Sequence, residues 1–228
     1  MKKLRAENAA AIIVNVLIIV FTVNAISYNF RDDIIWEVTY LDFKRWKCLR
    51  YFTNLSNIYA AVAACVVLVF NFKNAVKDEF SLPKSVIYLK FSATAAVAVT
   101  FLTVVLFLGP TVAASGNGYF TLFKQNNFFL HFLVPVLSIL SFVFLDRGEK
   151  TPLKSTIFGL LPTVAYSVVY VVMVVFIGGE NGWPDFYGFT FGGRMWAVPL
   201  SVIGMYAATF GISAGLRALR NVFFAKAE

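Results

Sequence analysis

Six stretches of this chain are each apolar over the roughly 20 residues that a helix needs to cross a bilayer core of about 30 Å. They are Ala9–Tyr28, Phe52–Phe72, Val86–Leu108, Asn127–Leu145, Ile157–Ile177 and Met195–Leu216. None alternates strictly between polar and apolar residues, so a transmembrane β-barrel with a wet lumen does not fit. The composition agrees: of 228 residues 59% are hydrophobic and only 14% charged, whereas a soluble domain carries about 25% charged residues. Gly109-Pro110, Gly178-Gly179 and Pro184 punctuate the ends of the runs. With no internal repeat, low-complexity tract or long linker, the expected architecture is all-α: one polytopic domain over residues 1–228 with six transmembrane helices.

Lys2, Lys3 and Arg5 ahead of the first run, with Val23-Asn24-Ala25 near its end, echo a cleavable signal peptide. The run is long for that purpose and reads better as a first membrane helix. The net charge of +8 does not imply nucleic acid, because the cations are scattered over short loops and termini. With an even number of spans the two termini share a side. That side carries 12 cations (Lys2, Lys3, Arg5, Lys73, Lys77, Lys84, Arg147, Lys150, Lys154, Arg217, Arg220, Lys226) against 7 on the other (Arg31, Lys44, Arg45, Lys47, Arg50, Lys124, Arg194). Lys90 is expected to snorkel toward the richer side. The positive-inside rule then places both termini in the cytoplasm of a multi-pass cell-membrane protein, with the cluster Lys44–Arg50 as the counter-signal. A bridge between Cys48 and Cys65 is not expected, and one His with two Cys gives no zinc or iron–sulfur ligand set. No metal or cofactor is expected.

The longer segments face outward. Asn29–Tyr51 mixes Asp32, Asp33, Trp36, Glu37, Tyr40 and Trp46 and suits a short interfacial helix. Gly178–Arg194 contains Trp183-Pro184-Asp185-Phe186-Tyr187, whose aromatics suit interfacial anchors.

Polar residues inside apolar runs carry the most information, since an unsatisfied polar group in lipid is costly. The second run opens Phe52-Thr53-Asn54-Leu55-Ser56-Asn57. Thr53, Ser56 and Asn57 share one helical face at i, i+3 and i+4. They suit either bonding to a neighbouring helix or chemistry. His131, the only histidine, lies in Phe128-Phe129-Leu130-His131-Phe132-Leu133-Val134-Pro135; it is either a packing residue or an intramembrane general base. Both features fall within roughly two turns of the outer ends of their helices. A hydroxyl beside a neutral imidazole is the minimum for nucleophilic acyl transfer, in which His takes the proton as Oγ attacks and returns it to the leaving group. Asn57, one turn deeper, is placed to donate to an oxyanion, with Ser56 as a supporting group. Phe52, Phe128, Phe129 and Phe132 flank the pair as a possible slot for an acyl tail.

At these residues the chain resembles the androgen-induced and androgen-dependent (FAR-17a-like) membrane proteins and their prokaryotic relatives, multi-pass threonine hydrolases of fatty acid esters of hydroxy fatty acids. The resemblance is carried by Phe52-Thr53-x-x-Ser56-Asn57, by His131 four residues before Pro135, and by Trp183-Pro184-Asp185-Phe186 followed by Gly192-Gly193-Arg194. Where animal members have Trp-Lys-x-Leu-Thr, this chain has Trp46-Lys47-Cys48-Leu49-Arg50, and their Tyr-Pro-Phe-Leu is here Trp-Pro-Asp-Phe. The resemblance implies Thr53 as nucleophile, His131 as its base, and Trp183, Asp185 and Arg194 toward the substrate.

The expectation is therefore an intramembrane esterase, active in lipid metabolism on long-chain fatty acid esters, with a lipid ester and the bilayer as partners. Asp185 and a backbone carbonyl are the two candidates for orienting His131. The rivals are a non-catalytic protein that binds or transports a small apolar molecule, and a purely structural membrane protein.

Overall fold

The computed structural model describes residues 2–31, 44–77, 81–116 and 118–225, with side chains from 4 to 223. The acids and aromatics between Asp32 and Tyr40 lie outside the described residues. Those described contain helices and no strand, and six helices are long and apolar enough to cross a membrane. The chain is an all-α polytopic membrane protein. We number the helices α1 (Lys2–Tyr28), α2 (Phe52–Lys77), α3 (Lys84–Ala114), α4 (Asn126–Leu145), α5 (Leu153–Ile177) and α6 (Ala197–Ala225). Short 3₁₀ turns precede α2 at Arg45–Arg50 and α4 at Tyr119–Phe123.

The centre of the bundle is α3, where every residue from Lys90 to Thr100 is buried. Its inner turns are rich in small residues (Ser92, Ala93, Thr94, Ala95, Ala96, Ala98), and α2 presents Ala60, Ala61, Ala63 and Ala64. Small side chains let helix backbones approach closely where lipid offers no hydrophobic drive to associate. Ile18, Ala60, Ala64, Val97 and Val134 join α1, α2, α3 and α4 in one apolar cluster. Toward the other end, Phe91, Phe142, Val143 and Leu216 join α3, α4 and α6.

Helix α1 buries Asn8, Ala11, Asn15, Ile18, Thr22 and Ala25, and the pattern continues to Asn29 just after it. The alternating three- and four-residue spacing is that of a helix–helix seam. Four of these seven are polar: Asn8 Nδ2 donates to the Asn71 carbonyl of α2 (3.1 Å), Asn15 accepts from Lys90 of α3 (2.6 Å), and beside them Asn126 Nδ2 of α4 donates to the Ala25 carbonyl (3.3 Å).

Two prolines stand near the end of the bundle where α2 and α4 begin. In Val104–Leu108 and in Phe129–Leu133 the turns widen to i→i+5 bonding, and each segment stands two residues before a proline, Pro110 and Pro135. A helix proline offers no N–H and crowds the carbonyl four residues back, here that of His131 for Pro135. The same widening occurs without a following proline at Ser141–Leu145 and Val172–Ile177, and such distortions are common at functional positions.

Candidate functional site

Thr53 is the second residue of α2, and its first turn is capped from a distance. The Phe52 N–H donates to the Tyr187 hydroxyl oxygen at 2.9 Å. The Tyr166 hydroxyl donates to the Arg50 carbonyl at 2.6 Å, and Asn54 Nδ2 donates to the Cys48 carbonyl at 2.7 Å. These bonds hold the start of α2, whose N–H groups have no intrahelical partner. Cys48 is enclosed there; burial pushes its thiol up, against a weaker pull from a backbone hydrogen bond. Cys48 and Cys65 are both free thiols.

Asn57 connects the two predicted catalytic helices. Its Nδ2 donates to the Thr53 carbonyl at 2.7 Å and to the Leu130 carbonyl at 3.0 Å. Pro135 leaves the carbonyls of the preceding turn short of donors, and Asn57 supplies one for Leu130, the neighbour of His131. Both amide hydrogens are thereby committed. The expectation that Asn57 donates to an oxyanion is thus corrected: it ties α2 to α4. Ser56 is also committed, with its hydroxyl bonding the Thr53 carbonyl (3.0 Å) and the Thr100 hydroxyl (3.0 Å) inside the α2–α3 contact. The Thr53 hydroxyl makes no hydrogen bond among the described residues, and none joins it to His131. What the structure brings together is the backbone of Thr53 and that of Leu130, across one amide group.

His131 Nδ1 lies 2.7 Å from the Leu122 carbonyl oxygen, in the turn before α4. A carbonyl only accepts, so Nδ1 carries the hydrogen and Nε2 keeps its lone pair. Of the two candidates for orienting His131, the backbone carbonyl is the one present. The ring also meets Phe123 edge-on at 6.5 Å.

Asp185 instead builds its own loop. Its carboxylate accepts from Tyr170 Oη (2.7 Å), the Phe189 N–H (2.8 Å), and both the N–H (2.7 Å) and hydroxyl (2.6 Å) of Thr190. Burial pushes the carboxyl up, but the bonds from Thr190, Tyr170 and Phe189 outweigh it and hold Asp185 below the usual carboxylate range. Of the two candidates for orienting His131, Asp185 is therefore not the one at the ring: its carboxylate closes its own loop, and the Leu122 carbonyl meets Nδ1. Trp183 bonds the Met173 carbonyl through its N–H (3.0 Å) and lies against Phe186, while Arg194 is exposed and its N–H meets the Thr190 carbonyl at 2.6 Å. The loop so folded packs on the entry to α2, with Phe186 against Tyr51 at 4.6 Å.

The four flanking phenylalanines do not form one group. Phe128 and Phe132 stack at 5.7 Å on the outside of α4, 40% and 38% exposed. Phe129 meets Phe21 of α1, whereas Phe52 meets Tyr166 of α5 at 5.2 Å. Phe52 therefore belongs to the wall formed with α5, apart from the α4 trio.

A second polar cluster escaped the sequence reading. Lys90 does not snorkel; it is 1% exposed and its Nζ donates to Asn15 Oδ1 at 2.6 Å, 3.8 Å from Asp146 Oδ2. Ser141 Oγ donates to the same carboxylate oxygen at 2.8 Å, and Asn15 Nδ2 approaches Ser141 Oγ at 3.3 Å. Arg220, counted above as a loop cation, is also buried, with Nη1 donating to the Phe142 carbonyl at 2.6 Å and the guanidinium over the Phe142 ring. Asp146 opens the segment Asp146-Arg147-Gly148-Glu149, whose charges pair in turn with Lys90, Glu7 and Lys84, progressively closer to solvent. The signals in the sequence were the spacing of Asn8, Asn15, Thr22 and Asn29 and an acid directly after the last apolar residue of α4.

Comparison of the chain with protein-family models, with curated proteins and with solved structures finds no match in any of the three.

Proposed function

We propose that this protein is an intramembrane ester hydrolase acting on long-chain lipid esters, with Thr53 as nucleophile and His131 as general base. The observation that carries this reading is the state of His131: the Leu122 carbonyl fixes the hydrogen on Nδ1 and leaves Nε2 as a base, on the helix that Asn57 ties to the carbonyl of Thr53. Thr53 supplies a hydroxyl not committed to another partner among the described residues, in contrast to Ser56. Thr53 Oγ attacks the ester carbonyl as its proton passes to His131 Nε2; collapse expels the alcohol, which recovers that proton, and water then releases the acid from Thr53 by the same route. The resemblance to the androgen-induced family, fatty acid esters of hydroxy fatty acids as the substrate class, and a cell-membrane location with cytoplasmic termini belong to the same proposal. Placing a C-terminal reporter on one side of the membrane checks the orientation. For the activity, the test is hydrolysis of a long-chain ester by purified protein in detergent, lost in Thr53→Ala and in His131→Ala.

A further inference from the structure

The polar cluster at Lys90 continues one turn further into the membrane, where two buried hydroxyls face each other. Phe91 of α3 meets Phe142 of α4 at 5.4 Å, and Val97 of α3 joins Val134 of α4 in one apolar cluster with Ile18. These two contacts fix the register of the antiparallel pair. Thr94 stands midway from Phe91 to Val97, and Ser138 midway from Phe142 to Val134, so they lie opposite each other. They are 0% and 1% exposed, yet neither hydroxyl makes a hydrogen bond among the described residues. Other helix hydroxyls of the chain turn back onto their own helix, as Thr100 does to the Ala96 carbonyl and Thr209 to the Met205 carbonyl. On the same face of α3, one turn before Thr94, the Lys90 ammonium has three hydrogens and one hydrogen bond, to Asn15 Oδ1. Asp146 stands off at 3.8 Å.

We infer that internal water is bound here, bridging the hydroxyls of Thr94 and Ser138 and continuing to the Lys90 ammonium. The inference stands apart from the hydrolase reading. A polar group left without a hydrogen bond is costly where lipid excludes solvent, and a buried water typically makes about three hydrogen bonds to such groups. Two hydroxyls that can each donate and accept, with an ammonium that has hydrogens to give, supply that set. An uncharged occupant suits the site better than an ion, because the Asp146 carboxylate opposes an anion and Lys90 opposes a cation. By helix rise Thr94 lies about 15 Å along α3 from Lys84, half of a hydrocarbon core of about 30 Å. Water there hydrates the Lys90–Asp146 pair near the middle of the membrane. The apolar layer of Ile18, Val97 and Val134 closes the site toward the end where α2 and α4 begin. On the opposite side the partly exposed Arg147 and the exposed Glu149 lead to solvent. The site is one-sided, not a channel.

The test is a high-resolution crystal structure of the wild-type protein grown from a lipidic phase, once in chloride and once in bromide. The expected result is density for water within hydrogen-bond distance of Thr94 Oγ1 and Ser138 Oγ, the same in both salts. An anomalous bromide signal at that place makes the occupant an anion. An empty space, or hydroxyls bonded instead to the Lys90 and Val134 carbonyls, makes the site dry. Either result overturns the inference. In solution, Thr94→Val, Ser138→Ala and the double variant are compared with wild type in denaturant unfolding from mixed micelles. At a dry site each substitution removes an unbonded hydroxyl, so the variants should be as stable as wild type or more so. Water shared by the two side chains predicts a lower midpoint for each single variant and a double variant whose loss is smaller than the sum. Unchanged or raised midpoints, or strictly additive losses, overturn the inference.

Discussion

His131 and Leu122 are joined by a 2.7 Å contact between a ring nitrogen and a carbonyl oxygen, and that contact decides which imidazole nitrogen can act as a base. The ring is held by its own chain nine residues upstream rather than by a carboxylate. In ¹⁵N spectra of protein labelled at histidine, a single resonance pair is expected because the chain has one His. At neutral pH it should report the Nδ1–H tautomer. An Nε2–H pattern contradicts the assignment of the base.

The Lys90–Asp146 pair gives the second prediction. Removing one partner of a buried pair typically costs about 3–5 kcal/mol, because the other charge is left in a medium of low dielectric. Lys90→Met alone should therefore destabilise the bundle by about that amount in equilibrium unfolding from mixed micelles. The double variant with Asp146→Asn should recover at least half, since both charges vanish together. Additive losses in the double variant would show that the two side chains act separately.

The Asp185 knot predicts a pH dependence with a definite sign. Its carboxyl is held below its ordinary value of about 3.9, so the ionised form favours the folded loop. That contribution is present above the unfolded value and is lost as pH falls through the lower folded one. Asp185→Asn, which places an amide where four donors converge, should cost about 1–3 kcal/mol near neutrality. It should also remove this part of the stability loss seen in wild type below about pH 4. An Asn variant as stable as wild type at pH 7 contradicts the role given to the knot.

The six spans were legible in the sequence because hydropathy over 20 residues is a property of a segment by itself. Several helix ends lie well beyond the apolar runs, at Lys2 rather than Ala9, Lys77 rather than Phe72, Ala114 rather than Leu108 and Ala225 rather than Leu216, because polar residues continue the helix there. The face shared by Thr53, Ser56 and Asn57 was legible for the same local reason. What each side chain meets was not. Helix α3 is apolar all round, so nothing in its own sequence says that Lys90 turns inward, and the same residue at a helix end suits snorkelling equally well. The partners that settle the matter, Asn15 and Asp146, are 75 and 56 positions away. Asp185 misled for a different reason: a carboxylate in an aromatic loop reads as a site residue until the backbone N–H groups of Phe189 and Thr190 are seen to close on it.

The central claim is that Thr53 forms a covalent bond with an acyl group. The direct measurement is peptide mapping by mass spectrometry after treating the purified, folded protein with a long-chain fluorophosphonate. The account predicts one adduct on Thr53, absent in Thr53→Ala and in His131→Ala, because residues that act as a unit fail together. An adduct on Ser56, or undiminished labelling of the Thr53→Ala protein, would contradict it.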